Sequence, residues 1–128
     1  MILALLDKLT SDPVLSSLLV ATNTDSKIHP VHVEGFGPAI AYTVTPVIRE
    51  GNVVTDRVEL RVVAPTYAGA LLIANRLVNL LDLDEQTAGW WYDTTYVLSS
   101  NLNGGGSLEF GDNAYEEFRF FDVKWREA

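Results

Sequence analysis

The chain has 128 residues, of which 48% are hydrophobic, and a formal net charge of −8 at pH 7. This length supports one hydrophobic core and predicts a single domain over residues 1–128. The negative charge argues against a nucleic-acid-binding surface, which depends on Lys and Arg, but it is compatible with DNA that passes without adhering. Because the chain has no cysteine, a disulfide framework and a thiolate metal site are excluded.

The first predicted element is an amphipathic helix. Apolar residues recur at helical spacing from Ile2 to Leu19, and Asp12 with Pro13 interrupts and restarts the helix. The apolar run Ile2–Leu6 is short and lacks a basic leader, unlike a secretion signal, and the absence of cysteine fits a cytosolic origin. Residues 21–38 are rich in turn formers and are predicted to form mostly a loop.

Two strands and a helix follow. Apolar and polar residues alternate over residues 40–44 and 57–62, and Gly51 and Asn52 lie between them, which predicts an antiparallel hairpin. Thr66 is placed to cap the next helix. The apolar stripe of that helix, which is expected to pack on the sheet, consists of Ala70, Ile73, Ala74, Leu77, Leu80 and Leu81. Its polar face also carries Leu72, beside Arg76, and both are candidate interface residues.

Two further strands are predicted, from about Trp90 to Leu98 and from about Tyr115 to Trp125. The second has apolar side chains on both faces, with Phe121, Val123 and Trp125 on one and Phe118 and Phe120 on the other. Part of the second face must therefore be covered. The predicted fold is α+β, with a mainly antiparallel sheet of four strands or slightly more, helices packed on one face, and the order α-β-β-α-β-β.

Three consecutive glycines, Gly104, Gly105 and Gly106, follow Asn103 in a predicted long flexible loop at about residues 99–114. A phosphate cradle would lie between a strand and a helix and would carry Lys followed by Ser or Thr, neither of which is found here. Two interpretations remain: a loop without a role, or a loop that becomes ordered against a partner.

Candidate catalytic groups are few. His29 and His32, joined by Glu34, could bind a metal, but two surface histidines are the simpler interpretation. Glu116 and Glu117 point to opposite sides of a strand, so they are interpreted as solvated surface rather than as an acid and base pair. We therefore predict no enzyme activity, no catalytic residue, no metal site and no cofactor.

Several segments resemble one family. The short leucine helix, the strand GPAIAYTVTP, the strand-to-helix unit RVELRVVAPTYAGALLIANRLVNLL and the closing strand YEEFRFFDVKW look like those of the tail-terminator, or tail-completion, proteins of long-tailed bacteriophages. The similarity covers nearly the whole chain and rests on length and element order rather than on a signature motif.

This resemblance implies a structural virion protein at the head-proximal end of the phage tail, assembled in the host cytoplasm. Such subunits form a homo-oligomeric ring, hexameric in the virion and built from subunits that are monomeric when free. The ring stops polymerisation of the tail-tube protein and provides the surface for head-tail joining to a head-completion or connector protein. DNA passes through it without specific binding, and no membrane is involved.

Two alternatives accompany this prediction. One is a head-completion or minor capsid protein of the head-tail connector. The other is a small-ligand-binding α+β module with an aromatic pocket near Trp90, Trp91 and Tyr92. The full set of predicted interface residues is Leu72, Arg76, Trp90, Trp91, Asn103, Gly104, Gly105, Gly106, Phe118 and Phe120.

Overall fold

A computed structural model describes residues 1–19, 27–30, 37–83, 89–109 and 114–128. The helices are α1 (Ile2–Thr10), α2 (Pro13–Leu18) and α3 (Tyr67–Leu81), and the strands are β1 (Ile28–Pro30), β2 (Ala39–Glu50), β3 (Val53–Ala64), β4 (Trp90–Tyr92), β5 (Thr95–Glu109) and β6 (Tyr115–Glu127). None of the helices among these residues has the length and apolar character needed to cross a membrane.

The strands form one curled sheet in the order β1-β2-β3-β6-β5-β4. The β1–β2 pair is parallel, and every other neighbouring pair is antiparallel. The predicted fold, a mainly antiparallel sheet of four strands or slightly more in the order α-β-β-α-β-β, is therefore wrong, because the sheet is mixed and has six strands. It missed β1, which lies in the predicted loop 21–38, and it merged β4 and β5 into one strand.

The predicted flexible loop at 99–114 is also wrong over residues 99–109, which belong to β5. They pair with β6 as far as Glu109, opposite Tyr115. Residues 110–113 lie outside the described part of the chain. The pairing with β6 has two register shifts, between Val97 and Ser99 and between Leu102 and Gly105. These irregularities accommodate the glycine-rich sequence within the strand.

The other predicted elements are confirmed. Asp12 caps α2 and Pro13 begins it, and Thr66 accepts a hydrogen bond from the Gly69 amide at the start of α3. The β2–β3 hairpin turns at Gly51 and Asn52, where Gly51 has the positive φ that this turn requires.

One face of the sheet, called here the core face, packs with the helices. Val58, Leu60 and Val62 of β3 and Phe121 and Val123 of β6 are fully buried there. The α3 stripe joins the same core through Ala70, Ile73, Ala74, Leu77 and Leu81, and α3 lies against β3, β5 and β6. The opposite side of the sheet is called here the outer face.

Asp12 fastens α2 to α3. Its carboxylate accepts the Leu15 amide at 2.8 Å and is bound by two nitrogens of Arg76, at 2.8 Å and 2.5 Å. Only 9% of the Asp12 side chain is exposed. The hydrogen bond from Arg76, together with the one from Leu15, lowers the pKa of Asp12 below its ordinary value.

We expect Asp12→Ala to lower the free energy of unfolding by about 2 to 3 kcal/mol, because it removes a helix cap and a charged hydrogen-bonded pair together. Asp7→Ala on the exposed side of α1 is the control and should change it by less than about 0.5 kcal/mol. Chemical denaturation measures both. Equal effects of the two substitutions would contradict the fastening role.

The lowered pKa of Asp12 also predicts a pH dependence. The folded carboxylate holds its proton less tightly than the unfolded one, so its contribution is complete above the unfolded pKa of about 4. It is lost as the pH falls through the depressed folded pKa. Asp12→Asn should therefore flatten the decline in stability at acid pH, as followed by thermal unfolding between neutral and acid pH.

Candidate assembly surfaces

The glycine segment, defined as residues 103–106, lies close against β6. A Cβ atom on Gly105 would lie 2.3 Å from the carbonyl oxygen of Phe118, and one on Gly106 would lie 2.7 Å from the Phe118 ring. These distances are shorter than any tolerable contact. The glycines are needed because two strands approach each other closely here.

The outer face beside the glycine segment carries two aromatic rings. Phe118 and Phe120 meet edge to face with centroids 5.7 Å apart, and a Cβ on Gly104 would lie 3.7 Å from Phe120. Both phenylalanines are partly exposed. The structure therefore brings together these five predicted interface residues: Gly104, Gly105, Gly106, Phe118 and Phe120.

A polar network anchors the start of this surface. The Asn103 side chain donates to Asp122 at 2.7 Å, and Arg57 Nε donates to the other oxygen of Asp122 at 3.0 Å. Asn103 is thus bound to the sheet on its outer face. Its position is fixed by a side-chain contact, although its backbone lies at an exposed stretch of β5.

The remaining predicted interface residues lie elsewhere. Leu72 is 57% exposed on α3, as expected of an interface candidate. The Arg76 guanidinium is bound to Asp12, so it contributes to joining the helices. Trp90 packs partly against the core with Lys8 Nζ at 4.5 Å from its ring, whereas Trp91 is 53% exposed and lies against Tyr96.

A second surface is the hairpin tip, defined as residues 44–50 of β2. The whole segment is exposed, and it carries three apolar side chains, Val44, Val47 and Ile48, of which the last two are about half exposed. Exposed apolar side chains grouped in one segment are typical of a protein contact. This surface was not predicted from the sequence, where alternation over residues 40–44 indicated only a strand.

A cleft of about 350 Å³ opens on the core face between α3 and β5. Glu117 lines it with only 1% exposure, and its carboxylate accepts hydrogen bonds from Ser107 Oγ at 2.6 Å and from Arg119 Nη1 at 3.0 Å. The same Arg119 nitrogen donates to the Phe118 carbonyl at 2.9 Å. Tyr67 and Leu71 of α3 form part of the cleft wall.

The predicted solvated positions of Glu116 and Glu117 are wrong. Both are buried, on opposite faces of β6, with 6% and 1% of each residue exposed. Burial raises the pKa of Glu116, an effect that nearby Arg61 partly opposes. The alternation of β6 explains the burial of Glu117, because Glu117 shares a face with Phe121, which lies in the core.

We expect Glu117→Ala to lower the free energy of unfolding by about 2 to 3 kcal/mol, since it removes the carboxylate that binds Ser107 and Arg119 and leaves Arg119 only its bond to the Phe118 carbonyl. The cost stays below that of a fully enclosed pair because the cleft admits water to Arg119. Glu117→Gln, which can still accept from Ser107, is the matched variant and should lose less. Urea denaturation of the three proteins checks this order, and an unchanged stability of Glu117→Ala would refute it.

The residues proposed for metal or ligand binding do not form a described site. His29 lies on β1, while His32 and Glu34 lie outside the described residues. Among the described residues no group of three or more His, Asp or Glu side chains could hold a metal ion. The aromatic side chains of residues 90–92 divide between the core and the surface, with Trp90 and Tyr92 partly buried and Trp91 exposed.

The fold has a counterpart among solved structures. No protein-family model and no curated protein sequence matches the chain. The chain is similar to one in a structure described as the virion of a native gene transfer agent (GTA) particle, with a TM-score of 0.70 and 12% sequence identity. The alignment covers 95% of this chain and 91% of that chain. At this identity, the similarity shows a shared fold.

Proposed function

We propose that this protein is a structural virion protein that closes the head-proximal end of a phage tail. In this role it forms a ring, stops tail-tube polymerisation and offers the surface on which the head is joined. The observation that supports the proposal most is the similarity over nearly the full length of both chains to a chain of a virion particle.

The distribution of exposed apolar groups supports assembly through two different surfaces. A ring of identical subunits uses heterologous contacts, in which one patch on a subunit meets another patch on its neighbour. The hairpin tip and the glycine segment lie on different strands and belong to opposite halves of the strand order. Each subunit can therefore contact two neighbours at the same time.

The charge of the chain suits a channel for DNA. With a net charge of −8 per subunit, a ring carries that negative charge multiplied by the number of its subunits. Phosphates would be repelled rather than held, which permits transit. In this proposal the protein has no enzymatic role, and Glu117, Arg119 and Ser107 serve each other as structural partners.

The genetic test is removal of the protein from the producing phage. Tails assembled without it should be longer than normal, variable in length and separate from filled heads, and expression of the wild-type chain should restore uniform joined tails. Negative-stain electron microscopy of lysates measures both properties. Tails of normal length without the protein would overturn the proposal.

A head-completion role is the second candidate, because the fold similarity to a virion chain does not distinguish the two sides of the head-tail joint. In that case the deletion would leave tails of normal length beside heads that cannot join them or that lose their DNA. Sedimentation of the purified protein with isolated heads and with isolated tubes separates the two roles.

A further inference from the structure

The sheet has two open edges, and the first belongs to β2. The short strand β1 covers the outer edge of β2 only from Ile40 to Tyr42. From Thr43 to Glu50 no described strand pairs with that edge, and residues 44–50 are exposed. An unpaired edge of this length offers backbone donors and acceptors to another strand.

The second open edge belongs to β5, at the other side of the sheet. Strand β4 pairs with β5 only from Thr95 to Val97, Leu83 forms a bridge with Ser100, and the Leu102 amide donates to Asp82. Beyond Leu102, no residue in the described ranges pairs with the outer edge of β5. Residues 103–105, 107 and 108 are exposed, and three glycines minimise the bulk there.

The two edges are complementary in direction. Successive antiparallel pairs from β2 through β3 and β6 to β5 make β2 and β5 run in opposite directions. When a second copy is placed beside the first in the same orientation, the β5 edge of the second copy therefore runs antiparallel to the β2 edge of the first. Since the two edges differ, the contact is heterologous and can be repeated around a ring.

The edges lie at opposite ends of the strands, which sets an offset between neighbours. Thr45 of β2 lies opposite Arg57 of β3, whereas Leu108 of β5 lies opposite Glu116, which lies opposite Val63. Arg57 and Val63 are six residues apart on β3, so Thr45 and Leu108 meet after a shift of about 20 Å along the strands. A closed ring accommodates such a shift when its strands are inclined to the axis, as in barrels.

We propose that residues 43–50 of β2 in one copy pair antiparallel with residues 103–109 of β5 in the next copy. The half-exposed side chains of Ile48 and Leu108 then lie on the same continuous outer face and bury apolar area together. Pro46 withdraws one donor from β2, so the backbone bonds come from the residues on either side of it. The inference rests on the proposed ring function and deepens it, and the pairing between copies can be tested on the purified protein without tail tubes.

Cysteine cross-linking tests this pairing directly, because the natural chain contains no cysteine. Leu108→Cys is combined in turn with Thr43→Cys, Thr45→Cys or Ile48→Cys. These three residues lie at alternate positions on the outer face of β2. Each therefore tests one of the pairing registers in which the outer faces of the two copies form one continuous surface. Leu3→Cys with Leu108→Cys is the control, since Leu3 is 60% exposed on α1, which contacts α2, α3 and β4 and belongs to neither of the two paired segments.

After oxidation, one of the three pairs should give a ladder of covalent oligomers at a yield about tenfold above that of the control pair. The experiment is done with the free protein over a range of concentrations and again on tail tubes. Oligomers or capped tubes without cross-linking in any of the three pairs would overturn the edge pairing. A protein that stays monomeric in both settings would overturn it as well.

The outcomes for the two proposals are separable. Cross-linked oligomers together with uncapped tubes would leave the edge pairing standing and reject the tail-terminating role. Capped tubes whose subunits do not cross-link would support the tail-terminating role and reject the edge pairing. A cross-link that forms only between this chain and the tube protein, from cysteines placed in both, would assign the open edges to that partner and contradict pairing between copies.

Discussion

Replacing Gly105 with alanine is expected to lower the free energy of unfolding by at least about 3 kcal/mol. The new Cβ would lie 2.3 Å from the Phe118 carbonyl oxygen and 2.9 Å from Arg119 Cδ. The first of these atoms belongs to the backbone of β6, so the clash can be relieved only by separating β5 from β6. Thermal and chemical denaturation measure the loss.

Gly51→Ala provides the control for this substitution. Gly51 has a positive φ, which Gly105 does not have, and no atom lies within 4 Å of its potential Cβ, so only the backbone preference is lost, at about 1 kcal/mol. The comparison separates a steric need for glycine from a conformational one. If Gly105→Ala were as stable as Gly51→Ala, the glycine segment would not be held against β6 in solution.

The double substitution Val47→Ser with Ile48→Ser is expected to weaken assembly about tenfold or more while leaving the subunit folded. Both side chains are about half exposed at the hairpin tip, so their removal costs the isolated subunit little. In the ring they would become buried, and serine removes that apolar area without adding charge. Analytical ultracentrifugation and the concentration needed to cap tubes give the size of the effect.

Leu3→Ser is the matched control for the hairpin tip. Leu3 is 60% exposed on α1, so the substitution removes a similar exposed apolar side chain from a different surface. It should assemble like the wild type. Equal behaviour of the control and the double variant would remove the hairpin tip from the assembly contact.

Local chemistry explains which elements were predictable. The restart of the helix at Asp12 and Pro13, the cap at Thr66 and the turn at Gly51 each depend on one residue type with a strong backbone preference. Each of these predictions is confirmed. Their physical cause lies within a few residues, so a single sequence contains it.

The errors have tertiary causes. The turn between β4 and β5 uses Asp93 with φ 54° instead of a glycine, so residues 90–98 looked like one strand. Strand β1 has only three residues and depends on parallel pairing with β2, and no local sequence pattern predicts such a pairing. The glycine segment was interpreted as a loop because the need for glycine there comes from close contact with Phe118, a residue on the neighbouring strand.

The candidate surfaces were predictable in part. The sequence named the glycines and the two outer-face phenylalanines, and the structure brings them together. It missed the pair of Glu117 and Arg119, although their two-residue spacing on the side of Phe121 was a usable indication of burial. The hairpin tip could not be recognised, because the register of β2 against β3 decides how far the hairpin extends beyond β1.

The most direct test of the proposed function adds the purified protein to polymerising tail-tube protein from the same phage. Electron microscopy then records tube lengths and the density at each end. The proposal predicts that elongation stops and that a ring of extra density caps one end of each tube, with the Val47→Ser and Ile48→Ser double variant failing to do so. Tubes that continue to grow with two bare ends at saturating protein would contradict the tail-terminating role.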